Sequence, residues 1–149
     1  MKTKNIFKLF TIIMMLMLAI FTTGCESQQE KYTKASNELA AFEKERAEYF
    51  FNSKNRFDEI SNSKTSETKK IEQGLKLCEE MMKNIEEYEK GLKEKLENLQ
   101  KIAKGNAELE KDIRLKWEDY NKNTKGLLVY KKHLEELIKE GKQELAKQK

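Results

Sequence analysis

The chain has 149 residues, 38% of them charged, with no proline and only six glycines. That composition fits one domain of long, solvated helices and argues against a β-sandwich or α/β sheet, which need turn residues every few positions. Lys2, Lys4 and Lys8 precede the first acid and carry most of the formal charge of +4; after them 27 basic face 26 acidic side chains, a balance without the one-sided field that nucleic-acid binding requires.

The first element runs from Met1 to Cys25. A basic tip leads into an apolar run, Leu9 to Phe21, broken only by Thr11 and followed by the small residues Thr22, Thr23 and Gly24. This is the three-part layout of a secretory signal peptide. A permanent membrane helix needs roughly 20 apolar residues to cross about 30 Å of hydrocarbon. This run has 13 residues and is closed upstream by Lys8, so export with removal of residues 1–24 is expected.

Thr22-Thr23-Gly24-Cys25 resembles the lipobox of bacterial lipoproteins. Gly24 and Thr23 match the pattern, whereas Thr22 stands where that family usually has Leu or another aliphatic residue. The resemblance implies that a diacylglyceryl group is attached to the Cys25 thiol and that a peptidase cuts between Gly24 and Cys25. It covers the first 25 residues and implies an anchor, not an activity. Two or three acyl chains hold a protein on a bilayer stably where one does not, since each buried CH₂ adds about 0.8 kcal/mol. The implied address is the extracytoplasmic face of the cell membrane or of an outer membrane.

Residues 25–31 then read as an acylated cysteine and a wet tether, Glu26 to Lys31, six extended residues reaching roughly 20 Å. Residues 32–149 form the expected helical domain. Tyr32, Ala35, Leu39, Phe42, Tyr49, Phe57 and Ile60 fall on a 3-4 spacing, with Arg46 and Ser53 filling the gaps. This is one stripe of a helix, widened by Phe50 and Phe51. Ser61 to Lys70 has no apolar residue and is rich in Ser, Thr and Asn, which marks a turn.

The second helix carries a seam of Ile71, Leu75, Cys78, Met82, Ile85, Glu89, Leu92, Leu96, Leu99 and Ala103, stepping alternately by four and three. Gly74 and Gly91 lie off that seam and only weaken the helix. Lys104-Gly105-Asn106 predicts a stop with glycine in the left-handed conformation. Ala107, Ile113, Trp117 and Tyr120 begin a third segment, which Asn121 to Gly126 interrupts as a kink or another turn. Leu127, Tyr130, Leu134, Leu137, Ile138 and Leu145 form the last stripe. The expected fold is all-α: an elongated antiparallel three-helix bundle or coiled coil, its third helix kinked near Asn123, with four helices as the alternative.

Little in this pattern points to chemistry. His133, the only histidine, shares a helical face with Glu136 and Glu140, but one imidazole and two carboxylates fall short of a zinc site. No metal or cofactor is expected. Glu79-Glu80 and Glu86-Glu87 point roughly 100° apart on a helix and cannot converge on one bond; intrahelical pairing with Lys83 and Lys90 is expected instead. Once Cys25 is acylated, Cys78 has no disulfide partner, and its heptad position favours a small buried hydrophobe over a reactive thiol. Tyr49-Phe50-Phe51 cannot all face one stripe, so Phe51 is either covered by the third helix or exposed, where beside a Tyr or Trp117 it could stack on a sugar or take a partner helix.

The layout is similar to that of cell-wall-binding helical lipoproteins of Gram-positive bacteria, and the final Lys147-Gln148-Lys149 bears a faint likeness to the ending of murein lipoproteins. The resemblance implies a structural or interaction role in the cell envelope, touching peptidoglycan or an envelope protein, with self-association open. A surface adhesin and a small-ligand carrier are the alternatives, and no enzymatic activity is expected.

Overall fold

The computed structural model describes residues 26–148. Three α-helices account for nearly all of them: α1 (Gln28–Asn62), α2 (Glu67–Ala103) and α3 (Ala107–Lys147). No strand occurs among the described residues.

Each helix start is written in its capping residues. The Ser27 hydroxyl accepts a hydrogen bond from the Glu30 amide (3.1 Å), while the Ser27 amide donates to Glu30 Oε2 (2.7 Å). This reciprocal box satisfies two backbone donors that a helix otherwise leaves orphaned. It also corrects the expected tether, because Gln28 to Lys31 are helical and only Glu26 and Ser27 of the described residues precede α1. Ser66 caps α2. Asn106 caps α3, its Oδ1 accepting from the Glu108 and Leu109 amides. Between α2 and α3, Gly105 takes φ +84°, the only positive φ among the described residues. This is the left-handed conformation anticipated for it.

Asn121 to Gly126 do not interrupt α3, which is one helix of 41 residues, so the alternative of four helices is overturned. Polar residues of this kind break a helix when they bond to their own backbone in non-helical ways. Here Thr124 Oγ1 instead donates to the Tyr120 carbonyl one turn back (2.8 Å), a bond made inside the helix.

α2 packs extensively on both α1 and α3, whereas α1 and α3 approach each other only slightly. The buried apolar residues divide into two clusters. The first joins Tyr32, Ala35 and Leu39 of α1 to Leu92, Leu96, Leu99 and Ala103 of α2 and to Leu109 and Ile113 of α3. The second contains Leu77, Cys78, Met81 and Ile85 of α2 and Leu134 of α3. The α2 seam is buried or half-buried throughout, but Leu77 and Met81 lie off it and are fully buried as well. The middle helix is covered from two sides and needs a wider apolar face than a single seam.

Gly91 likewise proves more than a weak helix former. A Cβ there would lie 2.6 Å from Cζ of the Phe42 ring, so α1 places its aromatic ring directly on the α2 backbone.

Candidate functional site

Gly24 and Cys25, the expected cleavage and acylation residues, lie outside the described residues, as do the apolar run before them and Lys149 at the far end. Just downstream of Cys25 the chain is firmly placed. Gln28, in the first turn of α1, donates through Nε2 to the carbonyls of Ile102 (2.6 Å) and Lys104 (3.0 Å). It thereby closes off orphan carbonyls at the end of α2. Nearby, the Tyr32 hydroxyl donates to Asp112 Oδ2 on α3 (2.7 Å). Burial and this carboxylate push the Tyr32 hydroxyl pKa far above its usual value. The start of α1 is therefore fastened to both other helices.

The first stripe breaks at Arg46 and Ser53, the second at Glu89 and the third at Asn121 to Gly126; of these, all but Ser53 lie close to one level of the bundle. Arg46 of α1 donates through Nη1 to Asn84 Oδ1 (2.8 Å), lies 3.9 Å from Glu87, and sits over the Phe42 ring at 5.3 Å. Glu89, the one charged residue of the α2 seam, lies 3.4 Å from Lys131 Nζ. Between these pairs α1 and α3 stand apart over a cleft of about 510 Å³, with Lys122, Asn123 and Gly126 on its α3 wall. Phe50 and Tyr88 form its floor, their rings edge-on at 6.5 Å. At this waist the two apolar clusters touch through the Phe50–Tyr88 contact, with charged side chains around it.

The paired acids of α2 behave differently from the expectation. Lys83 does pair with Glu87 one turn on (3.8 Å). The other acids face outward to neighbouring helices: Glu79 to Lys142 (2.9 Å), Glu80 to Arg56 (3.0 Å) and Glu86 to Lys131 (3.8 Å). Lys90 pairs with Glu94, not with the expected acids. Because α2 lies between two helices, lateral cations compete successfully with those one turn away.

The remaining candidates separate. Phe51 is 66% exposed and belongs to neither cluster. Trp117 packs at the first cluster, edge-on to Tyr120 at 5.3 Å, with its indole donating to Gln100 Oε1 (3.1 Å). Of the two expectations for Phe51, cover by the third helix is thus excluded, and the exposed ring has no aromatic partner among the described residues. Trp117 instead lines a groove of about 710 Å³ with Gln100, Lys101, Lys104 and Arg114. Cys78 is 3% exposed, and burial, then the Glu79 carboxylate, push its thiol pKa up, away from the reactive thiolate. His133, Glu136 and Glu140 do not converge: no described group of three or more His, Cys, Asp or Glu could hold a metal.

A comparison with known proteins finds no family model, no curated protein and no solved structure that this chain matches. No described helix is long and apolar enough to cross a membrane. The waist was visible in the sequence only as gaps in the stripes at Arg46, Glu89 and Asn121 to Gly126. The Gln28 clasp and the Tyr32–Asp112 bond left no periodic signal at all, since each joins residues more than 70 positions apart.

Proposed function

We propose that this chain is a lipid-anchored, extracytoplasmic lipoprotein with a structural or interaction role in the cell envelope. In this reading the signal peptide is cut between Gly24 and Cys25, and acyl chains on Cys25 hold an elongated antiparallel three-helix bundle on the membrane surface. One observation carries the proposal: the apolar run ends on Gly24-Cys25, and a capped helix opens at Gln28, three residues later. An anchor so close to a rigid element fixes the base of the bundle at the bilayer.

The order of the cross-helix pairs supports the antiparallel arrangement. Gln28 meets Ile102, Arg46 meets Asn84 and Arg56 meets Glu80, so α1 advances as α2 recedes. Trp117 meets Gln100, Lys131 meets Glu86 and Lys142 meets Glu79, which gives the same relation between α2 and α3. With 37 residues in α2, at 1.5 Å per residue the bundle is roughly 55 Å long. The turn at Ser63 to Ser66 and the neighbouring Gln148, joined through Thr68 (2.7 Å), form the end far from Cys25. That end is available to peptidoglycan or another envelope protein.

Incorporation of labelled fatty acid tests the anchor. The wild-type chain takes up label and Cys25→Ser takes up none; equal labelling of the two would remove the assignment. Retention of the mature protein on intact peptidoglycan, above a lysozyme-digested control, then separates wall contact from contact with an envelope protein.

A further inference from the structure

The apolar pattern is interrupted at the waist by charged residues that are half-buried or exposed, and departures from consistent patterning tend to concentrate at functional positions. Here two of the four departures, Arg46 of α1 and Asn121 to Gly126 of α3, meet at one cleft, with Glu89 of α2 close by and Ser53 apart from them. The cleft there, about 510 Å³, is large enough for a small molecule, within the usual range of about 300–1,000 Å³. Gly126 lies in its wall, and a Cβ there would meet nothing within 4 Å, so the open space reaches the backbone of α3.

The chemistry of the lining is mixed in a specific way. Arg46 and Lys122 supply two cations, Glu43 supplies one carboxylate, and Phe50, Tyr88 and Leu127 supply an apolar surface. Arg46 has donors to spare. Its guanidinium carries five N–H groups. Asn84 takes one of them, and Glu87 at 3.9 Å is too far for a hydrogen bond; Nε is buried and closed to a ligand, so the donors left for one are the remaining Nη protons. Glu43 also has no ion-pair partner among the described residues, and its negative charge, after burial, helps raise the Tyr88 hydroxyl pKa.

We infer that the waist cleft binds a small zwitterion of the amino-acid class with an aromatic or branched apolar side chain. The ligand carboxylate is held between Arg46 and Lys122, its ammonium faces Glu43, and its apolar body lies against Phe50, Tyr88 and Leu127. Glu43 and Lys122 are exposed and solvated, so a ligand with a single charge forgoes only the attraction of the missing contact. This binding is independent of acylation at Cys25, because it uses only residues of the described helices.

Calorimetric titration of the full mature chain in detergent tests it, with phenylalanine, phenylacetate and phenethylamine as probes. Phenylalanine is expected to bind, with each single-charge analogue weaker by up to about fivefold, in line with the loss of one solvent-exposed charge contact. Gly126→Phe fills the cleft and is expected to abolish binding while helix content is unchanged. Should that variant misfold, Lys122→Glu on the exposed rim is expected to weaken phenylalanine by about tenfold or more and to restore relative affinity for phenethylamine. No heat with phenylalanine, equal affinity for phenylacetate, or unchanged binding in the folded variants would each overturn the inference.

Discussion

The two apolar clusters are built from the same kinds of residue but hold α1 differently. In the cluster at the start of α1, fully buried residues come from all three helices, and α1 contributes Tyr32, Ala35 and Leu39. In the far cluster they come from α2 and α3 alone, and α1 adds only the half-buried Tyr49, Phe50, Phe57 and Ile60. Ser53 is the one fully buried α1 residue there, its hydroxyl returned to the Tyr49 carbonyl (2.9 Å). The first helix is therefore seated at its base and laid more loosely along the far half. In the proposed reading, load on an anchored Cys25 enters the better-packed end.

The largest expected effect breaks this contrast at its strongest point. Leu39→Ala, at a buried α1 side chain of the near cluster, is expected to cost about 2–5 kcal/mol in denaturant unfolding. Phe57→Ala in the far half is expected to cost less than half as much. Equal losses would mean that α1 is held alike along its length. Next, Gly91→Ala adds a methyl 2.6 Å from the Phe42 ring. Alanine normally strengthens a helix by about 1 kcal/mol, but overpacking here is expected to reverse the sign and cost about 1–3 kcal/mol. Gly126→Ala faces open space and is expected to stabilise by up to about 1 kcal/mol, so the pair distinguishes packing from propensity.

A smaller loss is expected of Tyr32→Phe, which leaves Asp112 without the Tyr32 donor across α1 and α3; thermal or chemical melts should show about 1 kcal/mol. The pH dependence has a defined sign. Burial raises the Cys78 thiol above 9.0 and the Tyr32, Tyr88 and Tyr130 hydroxyls above 10.0. Groups whose folded pKa is raised stabilise the fold fully below the unfolded value and lose that contribution as pH climbs through the folded one. Melting midpoints are thus expected to fall from about pH 9 upward, with Tyr32→Phe reducing the slope. The smallest effect belongs to the exposed lateral pairs. Glu79→Gln, opposite Lys142 with both side chains more than half exposed, should change stability by about 1 kcal/mol or less, in a salt-sensitive manner.

Much of the helical pattern was legible because apolar periodicity reports burial directly. The α2 seam from Ile71 to Ala103 and the left-handed Gly105 were readable from spacing and residue type alone. At Asn121 to Gly126 the letters left a kinked third helix and a second turn both open, and only the first keeps α3 continuous. Local propensity favours a break there, and the packing of Tyr120 and Leu127 on either side outweighs it. The Ser27-x-x-Glu30 box is present in the letters but lies in a segment whose polarity reads as a tether. The waist escapes the sequence for a different reason. Each gap looks like a local imperfection of one helix, and only the alignment of three helices brings Arg46, Glu89 and Lys122 to one level.

The central claim concerns the chemistry at Cys25, and the mass of the N-terminal peptide from the mature protein measures that directly. The expected peptide begins at Cys25 and carries two or three acyl chains through a glyceryl thioether, with or without an amide at the new amino terminus. A peptide that begins elsewhere, or begins at Cys25 with an unmodified thiol, would contradict it.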